Sequence, residues 1–224
     1  HDYELKMRLA RRQPYRRWVE ENRLTIHGFF NAAAPVQPDE EKLRWRERLF
    51  GYTREDLRVV LDAMACEGQE PVGSMGADEP LAVLSEQPQL LYWYFKQLFA
   101  QVTNPAIDPI REDLVMSLMT FIGCADQILT ESPSHARLLK LQHPILSNDD
   151  LARIRTLKDG DFQSRTLSIG FPGGGRGADL EAALARLCQE AEDALTSGAR
   201  LLILSDKHLA EGQCPIPALL AVSA

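Results

Sequence analysis

Hydrophobic positions in the first half of the chain recur at helical spacing. Tyr15, Trp18 and Val19 follow Pro14, a residue suited to a first helical turn, and predict a helix. The segment 31–38, NAAAPVQP, breaks the period and reads as a linker. Asp39 then precedes a strongly charged helix running to about Phe50, and Gly51-Tyr52 makes a short break. Thr53 and Asp56 have the spacing of an acidic capping box, opening a helix that stops near Gly68. From Pro71 to Pro88 the pattern is irregular. Leu90 to Phe99 holds Tyr92, Trp93, Tyr94, Phe95 and Phe99. This run is apolar nearly all round, so it predicts a helix that is buried or sits at an interface. The loop that follows, QVTNPAIDP, carries Pro105 and Pro109, which disfavour helix at Asn104 and Asp108 and make the loop rigid.

The second half changes character. Leu114–Ile122 is apolar and suits a strand or a short helix, and Ser147–Leu157 reads as a capped helix start. Arg165–Phe171 looks like a strand, and Pro172–Gly177 (PGGGRG) like a turn. Asp179–Ser197 predicts a long amphipathic helix with Leu180, Leu184, Leu187, Ala191 and Leu195 on one face, ended by Gly198. Leu201–Ser205 reads as a buried parallel strand. Strand, helix and strand in this order form a βαβ unit with a right-handed crossover. The fold class is therefore α/β: a helical N-terminal region followed by βαβ units with a mainly parallel sheet. The division expected is 1–38, a helical segment and linker, and 39–224, an α/β domain.

Composition narrows the function classes. The chain has 224 residues, 45% of them hydrophobic and 25% charged, which suits a soluble globular domain. Its net charge of −7 argues against a general nucleic-acid binder. No apolar run is long enough for a membrane span. The start, HDYELKMRLARRQPYRRW, lacks both the apolar core of a secretory signal and an initiator Met, so the chain reads as processed or cut from something longer. Cys66, Cys124, Cys188 and Cys214 are widely spaced and form no CxxC pair. Cys66 and Cys188 fall within expected helices, as buried free thiols. This usage fits a reducing, cytoplasmic location.

The glycine turn at 172–177, between a strand and a helix, offers free amides of the kind that bind phosphate. It lacks a Walker lysine and does not give GxGxxG, so a plain turn competes with an independent small-ligand, phosphate-binding enzyme. The helices around Gly51-Tyr52 resemble a helix-turn-helix, with Arg44, Arg46 and Arg48 on the first. Alternating Glu and Arg, however, favours a solvated face. The histidines are dispersed, and His143, before Pro144, is expected to pack. No GxSxG elbow and no metal-spaced cluster is present, so no catalytic, cofactor-binding or metal residue is assigned.

Several stretches, in order, resemble the central domain of glutamate synthase, the large or ferredoxin-dependent type. They are RQPYRRWVEENRLTI, the block from Phe50 to Leu118, LQHPILSNDDL, and GARLLILSD with PIPALLAV. Against that family Ala77, Trp93, Ala106 and Lys207 are small departures, and Trp93 stands where an aspartate or similar residue is usual. The resemblance implies a parent enzyme that makes glutamate from glutamine and 2-oxoglutarate. In it an amidotransferase domain releases ammonia, which passes inside the protein to a synthase domain holding FMN and a 3Fe-4S cluster. Electrons come from ferredoxin or from a small subunit or domain that oxidises NADH or NADPH.

On this resemblance residues 39–224 are a C-terminally truncated central domain. Its partners are the amidotransferase and FMN-binding domains of the same polypeptide, with no nucleic acid and no membrane. The expected role is that of a noncatalytic connector that helps form the ammonia passage. The chain alone is expected to be inactive and to bind no cofactor. Candidate interdomain or passage residues are Gly73, Ser74, Met75 and Gly76, which suit a tight turn, and Thr103 and Asn104 in the double-proline loop. Asp108 is expected to cap the segment that starts near Arg111.

Overall fold

The computed structural model describes residues 1–26, 39–71, 80–95, 108–123, 129–157, 160–174 and 177–224. In chain order the elements begin with helices α1 (Asp2–Ala10) and α2 (Tyr15–Asn22), strand β1 (Leu24–Thr25) and helix α3 (Glu40–Leu49). Two π-helical stretches (Asp56–Leu61, Ala63–Glu67) and two 3₁₀ turns (Ala82–Leu84, Leu91–Phe95) come next. Helix α4 (Pro109–Val115) leads to β2 (Thr120–Ile122), β3 (Leu139–Leu141) and α5 (Asn148–Thr156). The chain then runs through β4 (Ser164–Ser168), β5 (Gly170–Pro172), α6 (Gly177–Thr196), β6 (Leu201–Ser205), β7 (Gln213–Pro215) and α7 (Ala218–Ser223).

These elements fall into two compact units. One is His1–Pro35 with Met116–Ala224; the other is Val36–Val115. In the first, β4 and β6 pair in parallel from Ser164↔Leu201 to Ser168↔Ser205, with α6 between them in sequence. The expected βαβ unit is therefore present, and the α/β class holds. Parallel pairing is shared between two small sheets, since β1 also pairs parallel with β3. β2 and β3, and β5 and β7, pair antiparallel. β5 turns away from the β4–β6 sheet right after Ile169. The single strand expected over Arg165–Phe171 is thus two strands serving different sheets.

The hydrophobic alternation of β6 explains where the core sits. Leu201 and Ile203 pack on a cluster of Ile26, Leu139, Leu141, Ile154, Leu157 and Phe162. Leu204 packs on a second cluster of Leu167, Ile169, Ala183, Leu187, Ile216 and Ala221. A two-residue alternation sends neighbouring side chains to opposite faces, so one strand serves two cores. Helix α6 covers the second cluster with Leu180, Leu184, Leu187 and Ala191, as its stripe predicted. Leu195, the last residue of that stripe, is instead exposed, and Ala194 is buried in the same turn. The helix ends there in a Schellman motif. Ala199 N–H donates to the Ala194 carbonyl, Gly198 N–H donates to the Leu195 carbonyl, and Gly198 has φ +96°.

The N-terminal helices are tied to the first unit by side chains distant in sequence. The Tyr15 hydroxyl donates to Glu131 at 2.7 Å, and Arg12 forms an ion pair with the same carboxylate. Tyr15 and Trp18 meet edge to face with ring centroids 5.5 Å apart.

In the second unit the local signals hold well. Asp39 caps α3, its Oδ1 accepting from the Glu41 and Lys42 amides at 3.1 and 3.4 Å. Glu40 and Glu41 lie in the first turn and Arg46 and Arg48 in the last, which complements the helix dipole. The Thr53–Asp56 box is reciprocal: Thr53 N–H donates to Asp56 Oδ2 at 2.8 Å, and Asp56 N–H donates to Thr53 Oγ1 at 3.1 Å. Gly68, at φ +63°, stops the segment. Between these ends the winding is largely π-helical rather than α-helical.

Candidate interdomain site

Gly73, Ser74, Met75, Gly76, Thr103 and Asn104 all lie outside the described residues. Their flanks are described. After the double-proline loop, Asp108 Oδ1 accepts from the Ile110 and Arg111 amides at 3.2 and 3.0 Å. Its Oδ2 pairs with Arg111 Nε at 3.2 Å. Asp108 therefore caps α4, as its sequence position predicted.

Before the loop, the aromatic segment departs from expectation. Its described part, Leu91–Phe95, is a 3₁₀ turn, and Tyr92, Tyr94 and Phe95 are exposed by 51%, 48% and 71%. The turn is anchored by its other residues. Gly51, at φ +74°, leaves room for Leu90, whose Cδ1 lies 2.5 Å from where a Cβ would stand, and the Trp93 Nε1 is 3.8 Å from that point. A groove in this unit, lined by Leu49, Gly51, Pro80, Leu84, Leu90 and Trp93 among others, runs beside the anchor. The sequence signal was correct in being apolar on all sides. What periodicity missed is that only Leu90, Leu91 and Trp93 find cover within the described residues.

The glycine turn before α6 has a structural explanation at its first described glycine. A Cβ on Gly173 would meet Cys214 Sγ and the Gly212 carbonyl at 2.9 Å each, and Gly173 N–H donates to that carbonyl at 2.6 Å. Gly173 is a glycine because β5 and β7 close there. Nothing in this geometry favours phosphate binding; Gly175 and Arg176 lie outside the described residues.

Three further expectations are corrected or resolved. Cys66 is exposed and Cys188 half-buried, so neither is the fully buried thiol the helical pattern suggested. His143 is exposed instead of packed. In α3, Arg44 pairs with Glu40 one turn away, the behaviour of a solvated face. Among the described residues no three His, Cys, Asp or Glu side chains come together as metal ligands. No helix among them is long and apolar enough to cross a membrane.

With this geometry in hand, similarity to known proteins decides the family. The family model described as "Glutamate synthase central domain" matches residues 45–224. The chain belongs to that family. It is 43% identical over 226 aligned residues to the glutamate synthase [NADPH] large chain of Bacillus subtilis (strain 168). It is 42% identical to the ferredoxin-dependent glutamate synthase 1, chloroplastic/mitochondrial, of Arabidopsis thaliana. The glutamate synthase [NADPH] large chain of Azospirillum brasilense is 40% identical. The Bacillus alignment covers 100% of this central-domain chain but 14% of the relative's length. The whole of this chain thus corresponds to about a seventh of that polypeptide.

Proposed function

We propose that this chain is the noncatalytic connector of a glutamate synthase, joining the glutamine amidotransferase domain to the FMN and iron–sulfur synthase domain and forming part of the ammonia passage between them. The observation that carries this reading is the similarity of the chain, over 99–100% of its length, to a segment of much longer glutamate synthases. The parent reaction turns glutamine and 2-oxoglutarate into glutamate with electrons from ferredoxin, NADH or NADPH. The widely spaced cysteines support a reducing compartment such as the cytoplasm. The division into a helical segment with linker, 1–38, and a central domain, 39–224, belongs to the same reading.

In this role the double-proline loop forms one wall of the passage. Neutral ammonia needs hydrogen-bonding neighbours that do not hold it as a cation. The Thr103 hydroxyl and Asn104 amide meet that need, and Pro105 and Pro109 would lower the entropic cost of ordering such a wall. Gly73 and Gly76, which lack a Cβ, would let another backbone approach closely.

The test uses the full-length synthase. Thr103→Val and Asn104→Leu should leave glutamine hydrolysis largely intact while glutamate formed per glutamine falls and free ammonia rises. An unchanged ratio in both well-folded variants leaves the loop as scaffold. Bulky replacement of Gly73 or Gly76 should lower coupling more than glutamine binding. Equal loss of both activities through unfolding would remove that assignment.

A further inference from the structure

Strand β4 has one partner and one open side. Among the described residues it pairs only with β6. Leu201 N–H donates to the Gln163 carbonyl, and Ile169 N–H donates to the Ser205 carbonyl. The odd-numbered residues of β4 therefore turn their backbone groups toward β6, and Ser164, Thr166 and Ser168 turn theirs to the open side. That edge borders a cavity of about 540 Å³, with α6 as its other wall. The charges around the cavity are set apart. Leu167 packs beneath α6, so Arg165, two positions before it, lies on the α6 side of the strand. Glu190, Asp193 and Ser197 follow one ridge of α6 along the cavity. Glu190 is occupied by Arg186 at 2.8 Å. Asp193 Oδ1 accepts from the Gln189 amide at 3.1 Å. Among the described residues Asp193 pairs with no cation and Arg165 with no carboxylate. A cation and a carboxylate thus line one cavity without closing on each other.

We propose that this cavity binds a free α-amino acid with a neutral polar side chain, its carboxylate on Arg165 and its ammonium on Asp193. A molecule that carries both charges on one carbon joins what the protein leaves apart. A simple anion would face Asp193 and Glu190, and a simple cation would face Arg165. The open edge adds the N–H and C=O of Thr166, which can meet an amino acid's own polar groups as a neighbouring strand would. Gln163, Ser168 and Ser197 offer an amide and two hydroxyls to the ligand's side chain, while Glu190 disfavours a second carboxylate there. The volume is in the range of small-molecule sites. All of these residues lie within one compact unit, and the site does not depend on the connector role.

Equilibrium dialysis of labelled L-asparagine against the full-length synthase tests this, with Arg165→Gln and Asp193→Asn as separate variants. L-Asparagine is the probe because glutamine would be consumed by the parent reaction. Both side chains are exposed, so both variants should fold. Saturable binding is expected, weakened about tenfold or more in each variant, as the loss of one charge-assisted contact requires. N-acetyl-L-asparagine lacks the ammonium and L-asparaginamide lacks the carboxylate, so each should compete at least about tenfold less well than L-asparagine. No saturable binding up to about 10 mM would overturn the proposal. Binding unchanged in both variants would place the amino acid elsewhere in the enzyme and would also overturn it. So would a tripeptide that displaces L-asparagine more strongly than free L-asparagine does, since the edge would then take a strand. The ammonia-to-glutamate ratio of the Thr103 and Asn104 variants is read separately, so the passage can fail while this site stands, and the reverse.

Discussion

The two units differ in what their apolar residues have found. In His1–Pro35 with Met116–Ala224, two clusters are fully formed, and Phe162 and Leu139 show no exposed surface. In Val36–Val115 not one described residue is buried, although Trp45, Leu61, Met64, Leu84, Tyr92 and Phe95 are all there to be buried. Helix caps are equally good in both. Well-formed ends therefore do not make a core. Cores come from partners far away in sequence, as when Ile26 meets Leu139 and Phe162.

The largest expected effect separates two phenylalanines. Phe162→Ala should destabilise the first unit by about 3–5 kcal/mol, since a fully buried ring leaves a cavity. Phe95→Ala should change the stability of this chain by no more than about 0.5 kcal/mol, because its ring is exposed. Urea titration of both variants reads the contrast, and comparable losses would erase the distinction between the units. Leu187→Ala, at 3% exposure on α6, should cost about 2–5 kcal/mol and extend the result to the second cluster.

Gly51→Ala asks whether the second unit holds any tertiary order of its own. The position combines φ +74° with a side chain 2.5 Å from the new Cβ, so a loss of about 1–3 kcal/mol is expected. Trp fluorescence should shift along with it as Trp93 loses its seat. Gly198→Ala has a positive φ but only an ordinary contact, Gln163 Oε1 at 3.8 Å from the new Cβ, so strain alone should cost about 1–2 kcal/mol in the first unit. A harmless Gly51→Ala beside a damaging Gly198→Ala would mean that the Leu90–Trp93 anchor contributes little.

Cap removal should act alike in the two units. Thr53→Ala and Ser147→Ala each remove a side-chain acceptor for a helix amide and should cost about 1 kcal/mol, read by circular dichroism during denaturation. The smallest effect is acidic. Hydrogen bonds from the Lys42 amide and side chain hold the Asp39 carboxyl below its ordinary value of 3.8. A carboxyl lowered on folding contributes stability above its ordinary pKa and loses it as pH falls through the folded value. Helicity from α3 should therefore weaken only at strongly acidic pH. Asp39→Asn should flatten that step; an identical acid profile in the variant would place the acid sensitivity elsewhere.

The sequence by itself determined what depends on a few neighbouring residues. Asp39, Ser147 and the Thr53–Asp56 box fix helix starts, Gly68 and Gly198 fix ends, and Asp108 caps α4 as its spacing required. Each of these is a contact across at most a few positions, so the local pattern contains all of it. The leucine stripe of α6 and the β4–α6–β6 crossover were legible because hydrophobic period and strand–helix order are also written along the chain. Of the candidate site only the Asp108 boundary can be compared, since its six residues lie outside the described ones. Tertiary structure alone decided the two-residue strand β1, the departure of β5 to pair with β7, the exposure of Leu195 and Cys66, and the outward aromatic rings. Those outcomes depend on which distant surface arrives to cover a side chain. Periodicity states that a residue is apolar; only long-range packing settles what it is packed against.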